Sequence, residues 1–144
     1  MSLYGNTFGK QTVGHKHARK VWREVRQQYP AGGTITNITD FASTKVIPAG
    51  SFVKYDMSAK TIEVITEAKI TACISSGNVD AAKVAALGVN GYLYNDAYLL
   101  DGVTVATGTV VYEGELYKYM LSENAQKVAA QVQLTTVPQV VLVM

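Results

Sequence analysis

Ile47-Pro48-Ala49-Gly50-Ser51-Phe52-Val53 runs as a branched aliphatic residue, two spacers, a glycine, a small hydroxyl residue and two apolar residues. The same pattern returns at Val105-Ala106-Thr107-Gly108-Thr109-Val110-Val111. A glycine and a small hydroxyl residue ahead of branched or aromatic residues mark a corner that feeds a strand. Pro48 fixes the approach to the first corner, and Gly50 permits its turn. Neither copy brings a nucleophile together with a base, a set of metal ligands or a phosphate cradle. The repetition therefore speaks of architecture, with Gly50 and Gly108 expected as equivalent corners of one small barrel.

The sequence around these corners is rich in β signals. TITNIT (34–39) alternates with period two, and SFVKYD, TIEVI and KITACI are short runs of branched and aromatic residues. The segment from Asp56 to Lys60 reads as a hairpin loop. GTVVYEGELYKYML (108–121) reads as strand, a turn at Glu113-Gly114-Glu115, and strand. Asp101-Gly102 is a strong turn signal. QVQLTT and QVVLVM read as two closing strands around Pro138, the last one interior or sealed by a neighbouring subunit. NVDAAKVAALG reads as a helix capped by Asn78 and ended by a left-handed Gly88, and SENAQKVAA as a short helix capped by Ser122. Short strands, glycine turns and little helix predict a mainly β fold, a small barrel or sandwich with one or two short helices. The expected division is a basic N-terminal arm at 1–33 and a compact β domain at 34–144.

The chain has 144 residues, 48% apolar and 17% charged, with a net charge of +2. This length suits one domain with a real core, and the low charge is consistent with surface buried against another subunit. The charge is unevenly placed. Lys10, Lys16, Arg19, Lys20, Arg23 and Arg26 all precede residue 31, against Glu24 alone. Ala18, Val21, Val25 and Tyr29 recur at spacings of three and four beside Trp22, which predicts an amphipathic helix from Lys16 to Tyr29, stopped by Pro30. Its basic side chains, Lys16, Arg19, Lys20, Arg23 and Arg26, are candidates for contact with an anionic partner.

Chemistry-bearing residues are sparse. The two histidines, His15 and His17, both lie in the basic arm, which leaves the β body without a histidine base. Two ligands do not make a zinc site, and the single cysteine, Cys73, reads as a small buried hydrophobe. GNTFGKQ departs from the phosphate-loop spacing, since Tyr4 stands at the first glycine position and Gln11 replaces the magnesium-binding hydroxyl. GVNG at Gly88 is half a dinucleotide fingerprint without its context. No signal peptide, membrane span, metal, cofactor or catalytic residue is expected. The tyrosines Tyr92, Tyr94, Tyr98, Tyr112, Tyr117 and Tyr119 cluster in the second half of the chain. They suit cross-strand packing or a subunit interface, with Trp22, Tyr92, Tyr94, Tyr117 and Tyr119 as interface candidates; a stacking platform is the other use of such a cluster.

IPAGSFVKYD, LGVNGYLYNDAYL and VATGTVVYEGELYKYML, which together span most of residues 45–121, resemble the head fibre and head decoration proteins of tailed bacteriophages. The resemblance implies a non-enzymatic virion protein, made in the bacterial cytoplasm and placed on the outer capsid as a homotrimer of compact β domains against the major capsid protein. Pro48, Gly50 and Gly108 would serve its corners. The chain carries no long repetitive stalk, which favours a decoration protein or a fibre base. Nucleic acid is an unlikely partner on this reading. The alternative is a nucleic-acid-binding or carbohydrate-binding β module that uses the basic arm or the tyrosines.

Overall fold

The computed structural model describes residues 21–143. Along them run β1 (Trp22–Gln28), β2 (Gly33–Ile35), β3 (Val46–Ile47), β4 (Phe52–Asp56) and β5 (Thr61–Val64), then helix α1 (Glu67–Ala72). β6 (Ile74–Ser75), β7 (Asn78–Val79), α2 (Ala81–Leu87), β8 (Gly91–Leu93), β9 (Ala97–Tyr98), β10 (Thr107–Gly108) and β11 (Val110–Tyr117) follow. Helix α3 (Glu123–Thr135) and β12 (Val140–Val143) complete the chain. The fold is mainly β, a curled sheet with a few short helices.

The main sheet runs β1-β11-β8-β4-β5-β2-β10, with β12 added to β11. Thr109 alone separates β10 from β11, so one extended run stands at one end of this order and again next to β1 at the other, and the sheet curls back onto itself. Inside the curl, Ile35, Val53, Tyr55, Ile62, Val64, Leu93 and Val110 form one core, and Ile47 and Ala97 of the β3–β9 ribbon and Leu99 just after it belong to the same cluster. Their sequence neighbours point outward: Phe52, Ile65, Tyr92 and Val111 pack in a second core with Ile70, Val84, Ala125, Val128, Ala129 and Val132 of the helices. At Phe52-Val53, Tyr92-Leu93 and Val110-Val111 the strands are thus apolar on both faces, because one face fills the barrel and the other carries the helices, whereas Lys54 and Asp56 further along β4 are exposed.

The helix expected over Lys16–Tyr29 is not what forms where the chain is described: Trp22–Gln28 is a strand, antiparallel to β11, and the earlier part lies outside the described residues. Pairing with the open edge of a long strand satisfies a row of backbone groups and overrides a short apolar period. Three register shifts along β1 absorb the mismatch between a helical spacing and a strand. Gly114 makes the approach possible. It sits mid-strand in a continuous β11, not in the expected turn, and a Cβ there would lie 2.6 Å from the Glu24 carbonyl oxygen.

Other expectations change as well. KITACI is mostly helical, as α1, because the Thr66 hydroxyl caps the turn by accepting from the Lys69 N–H. QVQLTT is absorbed into α3, whose buried stripe Ala125, Val128, Ala129 and Val132 has helical spacing, with Ser122 as its cap. β12 is an edge strand with β11 as its partner, not an interior one. The cap of α2 is Asp80, whose carboxylate accepts from the Ala82 and Lys83 N–H groups, while Asn78 lies in β7. Gly88 ends α2 at φ +69°, and Gly102 turns at φ +86°, both as the sequence indicated.

Candidate interaction surface

The two rhyming segments flank the same strand. Phe52 of β4 and Val111 of β11 stand opposite Tyr92, one on each side of β8. Ser51 O accepts from Leu93 N–H at 2.9 Å, and Thr109 O accepts from Tyr94 N–H at 2.9 Å. The glycines themselves are not equivalent. Gly50 turns at φ +82° and donates its N–H to Leu93 O at 2.8 Å. Gly108 lies in extended backbone facing the barrel interior, where a Cβ would meet Leu93 Cδ1 at 2.7 Å. One glycine is there for its dihedral angle and the other for its missing side chain.

The Pro48–Ser51 corner is a ridge between two concavities. One, of about 550 Å³, is lined by Val21, Trp22, Arg23, Ala49, Tyr94 and Tyr98 among others. The other, of about 510 Å³, is more apolar and includes Val46, Pro48, Gly50, Ile70, Tyr119 and Leu121. The structure therefore gathers Trp22, Arg23 and Tyr94 on one side of the corner, and Pro48, Gly50 and Tyr119 on the other.

Tyr92 is not at an interface. It is fully buried, with its ring edge-on to Trp22 at 6.1 Å and tilted against Phe52 at 5.4 Å. Burial pushes its phenol well above the ordinary tyrosine range. Trp22 is buried as well, and its indole N–H donates to Tyr94 O at 3.0 Å. Tyr117 is half-buried and its ring meets that of Tyr119 at 5.8 Å; Tyr119 is 60% exposed. The sequence places Tyr92 and Tyr94 on one face by period two, but both faces of β8 are covered, so alternation does not separate core from surface here.

Lys16, Arg19 and Lys20 lie outside the described residues. Arg23 and Arg26 project from β1, where Arg23 Nε lies 3.5 Å from Glu115, and Arg26 lies 3.4 Å from both Glu24 and Glu115. Two cations and two carboxylates balance locally. Cys73 is buried, as expected, and its thiol donates to Lys69 O at 3.4 Å; burial raises its pKa. Among the described residues, no group of three or more potential metal ligands occurs, and no helix is long and apolar enough to cross a membrane.

Both outer sheet edges are guarded. β1 carries Arg23, Glu24 and Arg26 and is irregular in register, two devices that discourage edge-to-edge pairing. On β12, Val140 N–H donates to Val137 O and Leu142 N–H to Gln133 Oε1, each at 3.4 Å. Unguarded apolar surface lies elsewhere. Tyr98, Leu100, Val103 and Val105 are exposed along β9 and the loop that follows, with Val105 at 65%. Asp101, in the same loop, is tied to Lys45 at 2.6 Å, so this ion pair is compensated within the chain. In the sequence the tyrosines stand out more than this loop does, whose signal is the near absence of charge in Leu99–Ala106.

No protein-family model, curated protein or solved structure matches this chain.

Proposed function

We propose that the chain is a non-enzymatic structural protein of a tailed-phage virion, a decoration protein or fibre base on the outer capsid, which assembles with copies of itself through the β domain. The sequence resemblance over most of residues 45–121 supplies the class and the expected trimer. The observation that carries the assembly reading is the run of exposed apolar side chains Tyr98, Leu100, Val103 and Val105 in one short segment. Apolar patches rimmed by polar groups mark interaction sites. A strip whose Lys45–Asp101 pair is internally compensated meets a like strip without charge repulsion, as self-association requires.

The test is the mass in solution by light scattering across a wide concentration range, with the Val105→Asp variant alongside. A trimer that dissociates in the variant supports the reading. A monomer at every concentration overturns it. The nucleic-acid alternative is weakened by the pairing of Arg23 and Arg26 with Glu24 and Glu115; a steep fall of affinity with salt would revive it.

A further inference from the structure

We propose that Asp101–Gly102 is a site of spontaneous covalent modification, closing to a cyclic imide and reopening in part as isoaspartate. The proposal concerns the unassembled chain, because self-association through Tyr98–Val105 would cover this loop. In the reaction, the Gly102 amide nitrogen attacks the carboxyl carbon of the Asp101 side chain. A C–N bond forms, the carboxyl C–OH bond breaks, and the amide proton leaves with the hydroxyl as one water. Water then adds to the imide. Cleavage at the side-chain carbonyl restores aspartate, and cleavage at the main-chain carbonyl leaves the chain running through the former side chain.

Three features of the loop permit closure. The Leu100–Val103 turn is closed by Val103 N–H donating to Leu100 O at 3.0 Å, a bond in which the Gly102 amide has no part. Among the described residues a Cβ built on Gly102 would meet nothing within 4 Å, so the turn is open at this residue. The Asp101 side chain is 71% exposed. Lys45 is the brake: its ammonium holds Asp101 Oδ1 at 2.6 Å and restrains the side-chain rotation that ring closure needs.

The other labile dipeptide, Asn90–Gly91, is an internal reference. In short peptides asparagine before glycine closes faster than aspartate before glycine. Here the fold inverts that order. The Asn90 amide accepts from Tyr55 N–H at 2.7 Å and donates to Tyr55 O at 2.8 Å, and Gly91 is buried, with Val110 Cγ1 at 2.3 Å from a built Cβ.

The experiment incubates the full chain in heavy-oxygen water at neutral pH and maps label and isoaspartate by peptide mass spectrometry, with synthetic peptides spanning each dipeptide as references. Label and isoaspartate should accumulate at residue 101 while Asn90 keeps its amide, the reverse of the peptide order. Gly102→Ala should be several-fold slower, and Lys45→Gln faster by up to about fivefold, the range that an exposed ion pair's energy allows. No label at Asp101 over a period in which its peptide converts, or Asn90 reacting first in the folded chain, overturns the proposal. An unchanged rate in Lys45→Gln removes the brake.

Discussion

The side-chain amide of Asn90 takes both backbone hydrogen bonds of Tyr55, accepting from its N–H and donating to its C=O. β8 begins one residue later, so the side chain continues along β4 the ladder that the backbone of β8 starts. Asn37 does the same for Val64 on β5, accepting from Val64 N–H at 3.0 Å and donating to Val64 O at 2.7 Å. It takes over near where β2 ends.

Replacing Asn90 by Ala leaves two backbone groups of a buried strand without partners. A cost of about 2 kcal/mol is expected, from orphaned groups worth roughly 1–3 kcal/mol each with partial rescue by water. Asn90→Asp should be no better, because a carboxylate keeps the acceptor but faces the Tyr55 carbonyl with no donor. Urea unfolding midpoints at constant slope measure both; an Asn90→Ala variant as stable as the parent would show the pairing to be incidental.

Tyr92→Phe should stabilise the protein. Among the described residues the buried Tyr92 hydroxyl has no hydrogen-bond partner, and an unmade bond of this kind costs roughly 1–3 kcal/mol. The sign of the pH effect follows from the raised phenol pKa. The folded state holds the proton while the unfolded chain releases it above about pH 10, so stability is lost as pH rises beyond that value. Denaturation of the parent and the variant from neutral to alkaline pH should show a gap that widens above the unfolded tyrosine pKa.

Gly50→Ala and Gly108→Ala should separate the two corners. At Gly50 the new side chain faces both a left-handed backbone, costing about 1–2 kcal/mol, and Val21 Cγ1 at 2.8 Å. At Gly108 the backbone is unstrained and the obstacle is the flexible end of Leu93, so repacking limits the loss. Thermal unfolding should therefore rank Gly50→Ala as the more destabilised. Equal losses would argue that the corners are equivalent after all.

Gln133→Ala removes the cap from Leu142 N–H at the outer edge of β12. Stability should change little, within about 1 kcal/mol for one exposed-edge bond, but the unguarded edge should associate more readily. Turbidity and light scattering over time report this separately from unfolding, and an unaltered association rate would remove Gln133 from the role of guard.

Glu115→Gln removes a carboxylate that neighbours both Arg23 and Arg26, and leaves Glu24 beside Arg26. Polyanion binding should strengthen at low salt and vanish as salt screens it, with stability altered by under about 1 kcal/mol because the pairs are exposed. Retention on a heparin column measures the shift.

The amino-acid sequence by itself determined the class of the fold and its punctuation. Short branched and aromatic runs, the Asp56–Lys60 hairpin, the Gly88 and Gly102 turns and the Ser122 cap are local events, governed by dihedral preference and by hydrogen bonds between near neighbours. What the tertiary structure alone decided are the matters that depend on which edge or face is left open. Trp22–Gln28 became a strand because β11 offered an edge, and Gly114 became a point of close approach because β1 lies against it. Tyr92 sank into the core because helices cover the outside of a barrel whose inside is already filled. A period of two or of 3.6 names the faces of an element; only packing decides how many of those faces meet water.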